Sequence, residues 1–256
     1  MTALALAPKA FRLPRFEPWR LLKPLRMFDG QFYPYQPIQF MDGLLNPPIG
    51  AGQGITVDYI GQFANTTNSW STMNWGSFTF PNDCLAILAY CGLGTGTSAV
   101  SGSTLGGSAM TAHQASASGN TIKYGLFSLA VSAGTYAAAT TLSGSNGTAS
   151  SQAIGAFALR FAASNTPTGT GGNRAASNTS LSITHNQAAG GVSVYGALGI
   201  FDAVLSTAQV IDYDVTDGNG RNFIFAHSIG LAAQTPHTET QTQSSGNAAL
   251  VGGAWL

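Results

Sequence analysis

The feature that most restricts what this chain can fold into is the spacing of its apolar runs. From Ile55 to Leu256, runs of six to eleven residues alternate with clusters of Gly, Ser, Thr and Asn. The clearest runs are ITVDYIGQF, WGSFTF, CLAILAYC, TIKYGLFSLAV, AIGAFALRF, SLSITHN, GVSVYGALGIF, NFIFAHSIG and NAALVGGAWL. Runs this short, enriched in β-branched and aromatic residues and bounded by turn formers, read as strands. Two have period two: Phe157, Leu159 and Phe161 share a face opposite Arg160, and Val192, Val194, Leu198 and Ile200 share one opposite Ser193 and Tyr195. The pattern predicts an all-β chain, a jelly-roll-like β-sandwich. SGSTLGG, LSGSNGTASS and TPTGTGGNRAASNTS read as linkers, and GLGTGTSAVSG as a turn without the ending of a phosphate loop. The one helix candidate is STAQVIDY, with Ser206 as its cap.

Residues 1–50 have a different texture. They hold eight of the eleven prolines, which leaves room for a helix only around Pro18–Met27. Between the prolines stand Phe11, Phe16, Trp19, Phe28, Tyr33 and Tyr35, interleaved with Arg12, Arg15, Arg20 and Arg26. A disordered tail is poor in aromatics. This segment reads instead as an extended anchoring arm, followed by a hinge at 51–54 and the β-sandwich domain at 55–256. Its aromatics require pockets, and its guanidinium groups suit bidentate pairing with carboxylates on adjacent subunits.

Charge supports the same division. Charged residues are 8 % of the chain, against roughly 25 % in an ordinary soluble domain. Residues 1–30 carry six basic and two acidic side chains, and the other 226 residues carry four basic and eight acidic, so a net charge of zero conceals +4 and −4. A surface of small neutral groups suits close packing in an assembly. The basic residues form no long run and the domain is acidic, so nucleic acid is not the expected partner. No apolar stretch is long enough for a membrane helix. Cys84 and Cys91 lie seven residues apart in one strand, on opposite faces, and cannot bridge. Two buried thiols point to assembly in a reducing compartment. Asn65, Asn146 and Asn178 open Asn-X-Ser/Thr triplets that read as turn chemistry.

The residues that carry chemistry are sparse. Asp212, Asp214 and Asp217 have the alternation of a Ca²⁺ loop but not the EF-hand spacing, and an Asp-Gly/Asn-Gly turn accounts for them. His113, His185, His227 and His237 form no metal-ligand spacing, and His227 shares the face of Phe223 and Phe225 as a core histidine would. There is no nucleophile elbow. The expectation is therefore a non-enzyme without cofactor or metal. Trp70, Asn74 and Trp75 in TNSWSTMNWGSF form the one candidate glycan surface.

The strand series from ITVDYIGQF through NDCLAILAYCG, TIKYGLFSLAV and AIGAFALRF to the closing pair NFIFAHSIG and NAALVGGAWL resembles the jelly-roll-like β-sandwich domains of tailed-bacteriophage structural proteins. The resemblance covers about 200 residues, from Ile55 to Leu256. It implies a virion component (minor capsid or decoration protein, connector or tail protein) assembled in the host cytoplasm. Its implied partners are other virion subunits and copies of itself. The alternative expectation is a module binding a carbohydrate or host-surface receptor.

Overall fold

The computed structural model describes residues 39–41, 44–46, 54–65, 72–94, 98–143, 149–206 and 210–256. The chain divides into two units, residues 1–50 and 51–256. In the first unit the described residues form a short antiparallel pair, β1 (Gln39–Met41) with β2 (Leu44–Asn46). The anchoring side chains expected at Phe11, Arg12, Arg15, Phe16, Trp19, Arg20, Arg26, Phe28, Tyr33 and Tyr35 lie outside the described residues, as does the helix considered near Pro18–Met27.

The second unit is all-β, and no helix occurs among its described residues. Its strands are β3 (Thr56–Asn65), β4 (Thr72–Phe80), β5 (Cys84–Gly94), β6 (Ala99–Leu105), β7 (Ser108–Ala109), β8 (Thr111–Ala115), β9 (Ile122–Val131) and β10 (Gly134–Ser143), followed by β11 (Ala149–Arg160), β12 (Gly169–Gln187), β13 (Val192–Ile200), β14 (Val204–Leu205), β15 (Val210–Thr216), β16 (Arg221–Ile229) and β17 (Gln234–Trp255). All pairings are antiparallel and build three sheets, ordered β4-β10-β6-β7, β3-β11-β5-β9-β8 and β12-β17-β13-β16-β15, with β14 added beside β17.

The second of these sheets is the middle of a stack. One face of β5, β9 and β11 contributes Leu88, Tyr90, Phe127 and Ile154 to a core shared with Phe78, Phe80 and Leu105 of the first sheet. The other face contributes Ile87, Leu126 and Phe157 to a core shared with Val194, Phe225 and Trp255 of the third. A strand covered on both sides is apolar in succession instead of alternating, which explains CLAILAYC. The even-numbered face of β11, read from sequence as the polar side, is Ile154, Ala156 and Ala158 and is buried; only Arg160 at its end escapes, pairing with Asp58 at 3.2 Å. Phe161 departs from the face of Phe157 and Leu159, because the strand ends and the backbone turns left-handed there (φ 62°), leaving the ring exposed.

A fourth layer lies on the far side of the third sheet. β12 and β17 are long because they pair with each other twice, Gly169–Ala175 with Ala248–Ala254 and Ser180–Gln187 with Gln234–Thr242. Register shifts at Ala175, Asn178 and Ser180, with Ser177 at φ 55°, fold the ribbon back over its own sheet. The return is close: a Cβ on Gly169 would lie 2.4 Å from the Asn186 backbone nitrogen, and one on Gly171 2.9 Å from the Thr184 carbonyl oxygen. Only glycine permits that approach. The returning half, joined by β14, forms a strap whose inner residues Leu181 and Ile183 bury a third core against Tyr195, Ile224, Ala226 and Leu250.

Four sequence expectations need correction here. SGSTLGG is strand β6 running into β7, and much of TPTGTGGNRAASNTS is the first half of β12, since small residues are what a doubled ribbon can hold. GLGTGTSAVSG contributes Gly92–Gly94 to β5 and 99–102 to β6. The expected helix at STAQVIDY is overruled: Val210–Thr216 is an edge strand that pairs with β16 on both sides of a bulge at Asp212.

Gly155 faces the middle of the stack, where an added Cβ would lie 2.5 Å from Cγ of Phe225. Gly155→Ala is expected to cost about 1–3 kcal/mol in denaturant unfolding. Combining it with Phe225→Leu, which opens the space, should cost less than the sum of the two single changes.

Candidate functional site

The described domain brings together few of the residues singled out in the sequence. In β4, Met73, Trp75, Phe78 and Phe80 all point inward, though their numbering changes parity. A bulge at Trp75–Gly76, with Gly76 at φ 127°, supplies the extra residue. Trp75 is therefore buried, its indole N–H donating to Thr140 Oγ1 at 3.0 Å and its ring 5.9 Å from Tyr90. Asn74 points outward and Trp70 lies outside the described residues. The candidate glycan surface is corrected accordingly: its central tryptophan packs the core and offers no face to a sugar.

The three aspartates of the β15–β16 hairpin do not converge either. Asp212, on a bulge in β15, accepts from His227 Nδ1 at 2.6 Å. Asp214 accepts from Asn222 Nδ2 at 2.6 Å. Asp217 closes the Asp-Gly-Asn-Gly turn, its Oδ1 accepting from the backbone amides of Asn219 and Arg221. Each carboxylate has a separate duty, and among the described residues no set of three His, Cys, Asp or Glu side chains is placed to hold a metal ion. His227 is a half-buried histidine at the core's edge, 6.5 Å edge-on to Phe157 and held by Asp212.

The pattern extends to every acidic residue after position 50. Asp58 pairs with Arg160, and Asp83 accepts from the Ala133 amide. Asp202 takes both the amide and hydroxyl of Ser244, which hold its carboxyl below the usual range. Glu239, fully buried, accepts from the amide and hydroxyl of Ser206. Three of the four basic groups behave alike, Arg160 through Asp58 and two through backbone carbonyls. Arg174 donates to the carbonyls of Ala117, Ser118 and Ile122, fastening the loop between β8 and β9. Lys123 donates to the Thr121 carbonyl, and burial together with nearby Arg174 pushes its pKa down to about 8. Cys84 and Cys91 are free thiols on opposite faces of β5, in different cores; burial raises both, Cys84 to about 11.

The densest polar assembly lies where sequence reasoning did not look, under the strap. His185, Gln187, His237, Glu239, Gln241 and Gln243 all face inward and are buried. Tyr195 of β13 accepts from Gln187 Nε2 at 3.2 Å and meets His185 Nε2 at 3.0 Å. Gln241 donates to the Leu198 carbonyl at 2.8 Å, and Gln243 Oε1 accepts from the Ile200 amide at 3.2 Å. His237 Nε2 stands 3.6 Å from Glu239 Oε2. A signal was present: HTETQTQ alternates large polar residues with Thr at period two, the mark of a strand whose buried side is polar.

Compared with protein-family models, curated proteins and solved structures, the chain matches none.

Trp75→Phe removes the indole donor and leaves the buried Thr140 hydroxyl without it, an expected loss of about 1–3 kcal/mol. Thermal denaturation measures that loss, and a glycan array should give the same null profile before and after the change.

Proposed function

We propose that this protein is a structural component of a bacteriophage-type virion, a minor capsid or decoration, connector or tail protein, fixed to neighbouring subunits by residues 1–50. The observation that carries this reading is the division of labour between the two parts of the chain. All seven carboxylates of residues 51–256 are engaged within the domain, on turns, strands and the strap. Residues 1–30 instead carry a net +4 set among aromatic side chains and prolines. A domain that keeps its charge to itself behaves as an inert, stackable body, and the arm is left as the part equipped for partners. The stacked β-layers and the resemblance of residues 55–256 to phage β-sandwich domains support the same reading. Identical subunits repeated on a particle also favour contacts between copies.

The test is co-purification with particles. The full chain should band with purified virions, whereas the joint variant Phe16→Ser, Trp19→Ser should not. Each lost anchor is worth about 1.5–3 kcal/mol, one to two orders of magnitude in affinity. Far-ultraviolet circular dichroism should be unchanged in the variant. Normal copy number of the variant in particles would overturn the proposal.

A further inference from the structure

The strap is attached to the rest of the domain in an unusual way. Its inner face carries two aliphatic residues, Leu181 and Ile183, and six large polar ones. Its hold on the third sheet therefore depends on hydrogen bonds through His185, Gln187, Gln241 and Gln243 to Tyr195, Leu198 and Ile200. The strands beneath it keep a complete apolar core on their other face, with Val194, Phe223, Phe225 and Val251. Loss of the strap leaves that core intact. Buried polar interfaces separate more readily than apolar ones once a partner is disturbed, because each broken bond leaves a desolvated group behind.

The bonds around the histidine at the centre suit its neutral form, which burial favours. Gln187 donates to the Tyr195 oxygen, the Tyr195 hydroxyl donates to His185 Nε2, and His185 Nδ1–H points at the Asn186 carbonyl 3.4 Å away. A proton on Nε2 would reverse the bond to Tyr195 and place a cation in a buried site. The charged and titratable groups facing it are Tyr195 from β13 and His237 and Glu239 from β17. The His237 ring centroid lies 5.3 Å away, and the Glu239 carboxylate, already occupied by Ser206, only partly favours the charge. We propose that the strap formed by residues 180–187 and 234–243 is an acid-released latch, which detaches from the third sheet when His185 is protonated and uncovers Tyr195, Ile224, Ala226 and Leu250.

The sign follows from burial, which lowers the His185 pKa from its ordinary 6.5. The free imidazole then takes a proton more readily than the seated one, so the latch is fully held above about pH 6.5 and is lost as the pH falls below it. The strap is tied at both ends, by the bend near Asn178 and Gly246 and by the turns leading to Val192 and from Ile229. Release is thus a local opening.

Hydrogen exchange of the full chain, corrected for intrinsic rates, tests this at about pH 7.5 and about pH 5, on either side of the histidine range. Residues 180–187 and 234–243 should lose protection at the lower pH while β5, β11 and β13 keep theirs. His185→Gln, which hydrogen-bonds without titrating, should abolish that difference. His113→Gln should retain it, since His113 lies on β8 against Ser128. Equal strap protection at both pH values, simultaneous loss in all sheets, or a pH response surviving in His185→Gln would each overturn the proposal. The wild-type comparison stands even where a variant does not fold.

Discussion

Burial of the middle sheet on both faces is the constraint on which the rest of the domain depends. Three of its strands, β5, β9 and β11, are buried along most of their length, with Ile87, Leu88, Phe127, Ile154 and Phe157 at 0 % exposure. A two-layer sandwich leaves one face of each sheet wet. Here both faces need cover, and the short strands of the first sheet and the strapped third sheet provide it. The bulges in β3 and β4 serve the same end, keeping Phe63, Phe78 and Phe80 in one core despite the change of parity along each strand.

Stacking β-layers makes demands on side-chain size. Where two layers approach closely, large residues cannot sit opposite one another, and small ones fill the gaps. Gly155 lies beneath Phe225 and Gly172 beneath Tyr124, and within the third sheet Gly252 leaves room for its cross-strand partner Tyr195. The abundance of Gly, Ala and Ser, read in the sequence as turns and a surface of small neutral groups, is therefore in part a packing requirement of four layers.

The strap differs from the other layers in kind. The two inner cores exclude water with aliphatic and aromatic side chains, whereas the outer seam holds buried amides, imidazoles and a carboxylate through bonds to backbone, serine and tyrosine, with His237 Nε2 and Gln241 Oε1 left without a hydrogen-bond partner. Such an interface demands specific geometry and responds to protonation in a way the inner cores do not. With the proposed latch, stability is graded from the middle of the stack outward. The domain can change its outer surface without endangering its centre.

The strands themselves were legible in the amino-acid sequence, because apolar runs of strand length bounded by turn residues leave few alternatives. Each of the nine runs falls within a strand to within one residue at either end, Val194 and Tyr195 occupy opposite faces as their parity requires, and Cys84 and Cys91 stay apart. The charge division between residues 1–30 and the remainder is likewise a property of composition alone. What only the tertiary structure decided was which faces were covered and by what. Parity cannot say that β11 is buried on both sides, that Trp75 turns inward beside a bulge, or that β12 folds back on itself. Nor can it show that His185 in one strand meets Tyr195 in another. Those outcomes depend on contacts between segments far apart in the chain, where a neighbour's side chain fixes what each local pattern comes to mean.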